Sequence, residues 1–271
     1  MAASDAPEAL VIAHPQDLLA TALVEAFSRA GHRARRLDVI AAAQALTIAV
    51  ADHGCEVRPA VPMVLRCPTR PDTDDADTRF LYGESLATLW AAASLTGAPV
   101  LGRPGGMGFG GACASSAVVT EMRGGIFRGR EEVFLNGAMP QQTGSEWWFQ
   151  DQRSLAVASA GQNPAYPGPQ RGRPVQQEEE YELVVVLGDQ AWRRTSIELP
   201  GVDLLEASST LVRRLELDFA LVVWAISTER TLLGLARITP WPALEDIGFA
   251  WDAVVPAIIG YLWHDHGHRP G

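Results

Sequence analysis

The apolar and polar positions of this chain fall into short blocks whose periodicity switches along the N-terminal third. Residues 9–13, Ala-Leu-Val-Ile-Ala, are an apolar run behind a polar leader and predict a buried strand. Leu18, Leu19, Leu23, Ala26 and Phe27 then recur at helical spacing, with Gly31 where a C-terminal cap belongs. Residues 32–38 predict a second strand. Strand, helix and strand in that order predict a parallel sheet in an α/β domain. A later strand is expected at 61–67, a polar loop at 68–79, a helix at 80–95 and a short strand at 99–101.

A glycine cluster occupies 102–111, and beyond it the periodicity fades. Residues 115–165 mix short apolar pieces with Gly, Gln and Trp, and 163–174 is rich in Pro and Gly and predicts an exposed loop. The pattern returns at 181–187, an apolar strand, followed by a turn at Gly188-Asp189 and a hairpin partner at 190–196. A helix is expected at 204–215, two strongly apolar strands at 219–226 and 231–238, and a closing helix at 251–263. No internal repeat is present.

Composition narrows the chemistry. All 22 basic residues among the 271 are Arg, so the chain has no lysine. That excludes a Schiff base to a carbonyl or pyridoxal phosphate, a P-loop and a protein-kinase lysine. A net charge of -10 argues against a nucleic-acid partner. No apolar run reaches the ~18 residues of a membrane helix, so no membrane partner is expected. The N-terminal stretch lacks the basic region of a secretory signal, and a cytoplasmic protein is the expectation. Cys55, Cys67 and Cys113 lack metal-type spacing and are expected as reduced thiols.

Several residues are candidates for contact with a ligand. Arg66, Arg70 and Arg103 flank the ends of predicted strands, where ligands of parallel sheets collect. They read either as forks for a carboxylate or phosphate or as surface arginines. His14 follows the first strand and could line a pocket or have a plain structural role. The glycine cluster reads as a phosphate wrap or as a flexible connection, and it lacks the spacing of a dinucleotide fingerprint. His264, Asp265, His266 and His268 are a candidate for adventitious metal binding, and no purposeful metal site is expected. Trp147, Trp148 and Phe149 read as core packing or as a partner-binding patch.

The order of the segments resembles the ATP-grasp ligases, most of all the branch of glutathione-synthetase-like ligases and graspetide synthetases. VIAHPQDLLATALVEAFSRAGHRARRLD resembles their opening strand and helix, and PMVLRCPTRP, FLYGESLATLW and PVLGRPGG their next strand, helix and strand. PVQQEEEYELVVVLGD resembles their Gln-Glu segment and the strand after it, and LVRRLELDFALVVWAISTERTLLGLARITPWPAL their last helix and hairpin. The resemblance implies an α/β, ATP-grasp-like fold. A pre-ATP-grasp domain with a parallel sheet would span 1–105, and a shortened α+β ATP-grasp-like region 106–271. It places purine and ribose contacts at Gln177, Glu178 and Glu180, which otherwise read as a solvated acidic run ahead of a strand. Of the strand-end residues, Arg103 is expected on the cofactor side and Arg66, Arg70 and His14 on the substrate side.

The same resemblance exposes departures. Such ligases neutralise a triphosphate with Lys, Arg and usually two magnesium ions. Their first metal carboxylate falls here on Val223 or Trp224, their Glu-x-Asn on Arg237-Ile238-Thr239, and their phosphate-facing strand Arg on Leu183. Both nucleotide lysines are missing. No cofactor and no catalytic residue are therefore expected, and the chain reads as a pseudo-ligase that binds a peptide or a partner enzyme, with oligomerisation left open. Two alternatives remain. One is an active, divergent carboxylate–amine ligase using ATP and Mg, with arginines at the phosphates and metal on Glu178, Glu180 or Asp189. The other is a small-carboxylate-binding protein.

Overall fold

The computed structural model describes residues 8–52, 54–66, 75–105, 133–135, 147–151, 157–159, 170–174, 179–196 and 198–263. The chain divides into two compact units, Met1–Gly111 with Ala243–Gly271, and Ala112–Pro242.

The first unit is built on a parallel sheet. Strand β1, Ala9–Ile12, is buried along its whole length. Helix α1, Leu18–Arg29, starts at the N-cap Asp17, whose carboxylate accepts from Ala20 N–H at 2.9 Å. It ends where Gly31 takes φ 84, a left-handed turn that glycine enters without a Cβ penalty. Strand β2, Ala34–Leu37, leads to helix α2, Val39–Ala45, and to the hairpin of β3, Thr47–Ala51, and β4, Gly54–Arg58. Strand β5, Met63–Leu65, helix α3, Ala76–Leu95, and strand β6, Val100–Leu101, complete the layer. The sheet order is β2-β1-β5-β6, all parallel. Leu10, Ile12, Met63, Leu65 and Val100 pack with Val39, Leu89 and Ala92 into one core.

Two features here differ from the sequence expectation. Helix α3 begins at Ala76, within the stretch read as loop, because the Asp75 carboxylate caps it through Thr78 N–H at 2.8 Å. The residues from 39 to 58 carry a helix and a hairpin too short to leave a clear period.

Among the described residues, the second unit holds two antiparallel sheets. One is formed by β7, Val133–Leu135, β8, Trp147–Asp151, β9, Val157–Ser159, and β10, Gln170–Pro174, in the order β7-β10-β8-β9. The expected exposed loop over 163–174 is corrected at 170–174, the part that lies within the described residues. Residues 170–174 pair with β8 and 170–172 also with β7, backbone bonding that a segment without apolar alternation does not advertise. The other sheet has the order β12-β11-β13-β14: β11 is Glu179–Leu187, β12 Gln190–Arg193, β13 Phe219–Ser227 and β14 Leu232–Thr239. Helix α4, Leu204–Arg214, covers one face, burying Leu204, Leu211 and Val212 against Val184, Val186, Val222 and Trp224.

After the second unit, a short helix α5, Leu244–Ile247, leads to the closing helix α6, Trp251–Trp263. The sequence reading assigned this helix to the second domain, whereas it packs with the N-terminal sheet. Trp263 stacks on His32 at 4.1 Å and meets Phe27 edge-on at 5.0 Å, and Tyr261 Oη donates to Val100 O at 3.2 Å.

Candidate functional site

Strand alternation gives the β11–β13–β14 sheet two distinct faces. On the α4 side, even-numbered positions of β11 and β13 carry Val184, Val186, Val222 and Trp224. The other side carries Leu183 opposite Val223, and Val223 opposite Arg237. These three residues form one cross-strand row. Leu183 and Val223 are buried at 8% and 3%, and Arg237 is half-buried. Thr239 lies two residues along β14 on the same side, opposite Leu221, with its Oγ1 accepting from Trp241 N–H at 3.2 Å.

The α4 side holds the charged residue that sequence reasoning missed. Glu182 is 1% exposed and accepts from Arg193 Nε at 3.0 Å, Thr195 N at 2.9 Å and Thr195 Oγ1 at 2.5 Å. Buried carboxylates require such a set of donors. Beside it, Trp224 Nε1 donates to the buried Ser208 Oγ at 2.9 Å. The available signal was parity: Glu182 shares its face with Val184 and Val186. At the start of α4, Arg193, Arg230, Glu198 and Asp203 line an open cleft of about 600 Å³. Its charges are of both signs, and Asp203 Oδ1 already caps the N–H groups of Leu205 and Glu206.

In the first unit, strand order reverses between β1 and β5, and open α/β sheets bind ligands at the carboxyl ends beside such a reversal. His14 and Arg66 both sit there, since Ile12 and Leu65 are register partners. Arg66 is 6% exposed, and its Nε donates to Asp17 Oδ2 at 2.6 Å. The pair ties the end of β5 to the capped start of α1. His14 is exposed, with Nδ1 accepting from Gln16 N–H at 3.3 Å. Arg103 donates to the carbonyls of Ala93, Thr96 and Ala98 at 2.6, 3.1 and 2.8 Å, closing the C-terminal end of α3. Gly102 takes φ +79, and a Cβ there would stand 2.6 Å from Leu65 O, so the glycine keeps β6 close to β5.

The other expected site residues separate. Glu180 is exposed, and alternation puts it on the α4 face of β11, away from the row of Leu183. Asp189, in the turn beyond β11, lies about 20 Å or more along the strand from Glu180, so the two cannot share one ion. Gln177, Glu178, Arg70, the distal glycines of the 102–111 cluster and the histidine tail lie outside the described residues. Among the described residues, no group of three His, Cys, Asp or Glu side chains could hold a metal ion. None of the described helices is long and apolar enough to cross a membrane.

Neither a protein-family model nor a curated protein sequence matches the chain. Solved structures do. The ATP-grasp ligase PsnB complexed with minimal precursor matches with a TM-score of 0.61 at 12% identity, over 94% of this chain and 99% of that one. The macrocyclase MdnB from Microcystis aeruginosa MRC matches with a TM-score of 0.60 at 14% identity, over 95% and 99%. The chain has the ATP-grasp fold. A D-alanine–D-alanine ligase from Bacillus anthracis also matches, with a TM-score of 0.53 at 9% identity, over 96% and 97%. PsnB is also solved with a phosphomimetic precursor variant, Mg and ADP.

Within the ATP-grasp fold, Leu183, Val223 and Arg237 are the positions to which the segment resemblance assigned the phosphate arginine and two metal carboxylates. The register chooses between Val223 and Trp224: Trp224 faces α4, so Val223 belongs to the row. A divalent magnesium ion takes oxygen ligands, preferably anionic ones. An isobutyl group, an isopropyl group and a guanidinium supply none, and the row does not fit the metal.

Proposed function

We propose that this chain is an ATP-grasp pseudo-ligase, which keeps the ligase architecture, lacks the metal-held nucleotide chemistry and works by binding a peptide or a partner enzyme in peptide modification. The observation that carries the reading is the row Leu183–Val223–Arg237 on the face of the sheet turned away from α4. A guanidinium opposite a valine repels the ion that the phosphates of a bound ATP would bring with them. The missing lysines act in the same direction, since a triphosphate has fewer cations to meet it. The peptide partner is supported by the neighbours: PsnB is solved with its minimal precursor, and MdnC with the precursor peptide MdnA.

Titration calorimetry with Mg-ATP tests the proposal. The expected result is no micromolar binding to the whole chain, with or without a candidate peptide. A micromolar Kd that Glu178→Ala abolishes sinks the pseudo-ligase reading. ATP consumption that depends on a carboxylate-bearing peptide would sink it too and establish the divergent ligase instead.

A further inference from the structure

We infer that the outward face of helix α3 binds a second copy of this chain, with the two α3 helices packed antiparallel about a two-fold axis at Ala87. The surface lies on the first unit and is independent of the pseudo-ligase reading. Helix α3 has two faces. Leu89, Ala92 and Ala93 pack into the core of the first unit. Turned away from them, at spacings of three and four, stand Phe80, Gly83, Ala87, Ala91 and Ser94. Phe80 is 71% exposed, and Leu81, Trp90 and Leu95 beside that stripe are 47%, 44% and 46% exposed. Trp90 keeps an interaction within the protein as well. From Ser85 to Leu95 the helix has no charged residue, in a chain of net charge -10. A surface helix ordinarily turns charged residues outward, and one that is apolar on both sides calls for a cover on both.

Gly83 is a second, independent observation. It stands inside a helix of 20 residues, where glycine is unfavourable beside alanine. A Cβ at this position would meet nothing within 4 Å, and its φ is not among the positive ones. Neither packing within the chain nor backbone conformation asks for a glycine there, whereas a second helix laid close against it does. With the axis at Ala87, residues equally far before and beyond it meet. Gly83 faces Ala91 and Phe80 faces Ser94, so small residues line the centre and each phenyl ring lies over a small partner. Glu84 comes opposite Trp90 at the rim. The helix dipoles run in opposition. Large and small positions thus complement themselves under a two-fold rotation, which is why the occupant is a second copy. A helix of this length spans about 30 Å. Two of them packed along it bury close to the ~1,000 Å² in total that marks the low end of specific interfaces, a scale that fits a micromolar dimer.

Sedimentation equilibrium on the full chain from about 1 to 100 μM tests the proposal. The mass should rise from one chain to two across that range. Gly83→Leu should weaken self-association about 30-fold or more, the effect of blocking a hot spot. Its monomer should melt no earlier than the parent, since leucine is the better helix former. Ala87→Glu sets two carboxylates face to face at the axis and should dissociate the dimer without added bulk at Gly83. Leu18→Glu, at a residue 67% exposed on α1, should leave the dimer intact. A chain that stays monomeric throughout that range overturns the proposal and leaves the α3 face to a different partner. A dimer that survives both Gly83→Leu and Ala87→Glu overturns it too, as does equal loss of the dimer in Leu18→Glu, which would place the interface elsewhere. If circular dichroism shows that Gly83→Leu does not fold, Ala87→Glu decides.

Discussion

Arginines stand at two places in this molecule where a ligand was expected, and the two places are built differently. At the carboxyl edge of the N-terminal sheet, Arg66 is locked to Asp17 at 2.6 Å, and Arg103 is spread over three carbonyls of the α3 terminus. Both guanidinia hold secondary structure in place. On the β11–β13–β14 sheet, Arg237 stands in a row with Val223 and Leu183, residues that need no charge beside them. An arginine at a strand end is therefore weak evidence of a site, and its place in the cross-strand register is better evidence. The first unit uses its arginines as struts. The second sets one in an otherwise aliphatic row, on a face whose other side holds the polar network around Glu182.

Matched substitutions test that contrast. Arg66→Leu should have the largest effect, because it leaves Asp17, with a side chain only 17% exposed, without its cation. Breaking a buried pair from one side costs about 3 kcal/mol or more. Urea unfolding should show a lower midpoint, and Arg66→Leu with Asp17→Asn should recover part of it. A variant as stable as the parent would return Arg66 to the list of ligand contacts.

The partner of Arg66 lies 49 residues away, which explains why the sequence suggested a ligand contact there. Periodicity reports which face a residue takes, and it is silent about what the opposite element brings. The same limit explains much of what was legible and what was not. Apolar runs such as Ala9–Ile12 and Phe219–Ser227 announced their strands because burial on both faces demands continuous hydrophobicity. The segment order was enough for the fold, and the three positions Leu183, Val223 and Arg237 fell into one row once the register was known. Strands held by backbone pairing, such as Gln170–Pro174, gave no such signal. Nor did the return of α6 to the first unit, which depends on Trp263 meeting His32 and Phe27.

Arg103→Ala should come next in size. It removes three hydrogen bonds from carbonyls at the end of α3, where Ala93 and Thr96 are buried. The loss is expected to be about 1–3 kcal/mol, as for a charged donor serving backbone acceptors. Amide exchange should accelerate first in the last turn of α3. Unchanged exchange there would mean that Thr96 and its neighbours find other donors.

The opposite end of α3 offers a smaller, pH-dependent effect. Hydrogen bonds from the Thr78 hydroxyl and the Thr78 N–H hold the exposed Asp75 carboxyl below the usual aspartate range. A carboxyl whose folded-state pKa is lowered adds stability that is complete above its unfolded pKa, about 3.9, and is lost as pH falls through the lower folded value. The protection factors of the first-turn amides, with the intrinsic pH dependence of exchange divided out, should therefore fall on acidification below about pH 4. In Asp75→Ala that acid dependence should vanish. If it persists in the variant, another group sets it.

The smallest expected change in stability is the one that bears most on the contrast. Arg237→Leu makes the same substitution as Arg66→Leu, but in a row whose other members, Val223 on β13 and Leu183 on β11, are aliphatic. Arg237 is half-buried and keeps an interaction within the protein, so its loss should cost less than breaking the buried Arg66–Asp17 pair. Measured in the same urea series, the two leucine variants should differ several-fold in their loss. If Arg237→Leu unfolds the protein as readily as Arg66→Leu does, then Arg237 is a strut as well. The half-buried guanidinium would then owe its place to a structural partner. A small loss would show that the interaction Arg237 makes within the protein adds little to stability, and that the row Leu183–Val223 does not depend on the charge beside it.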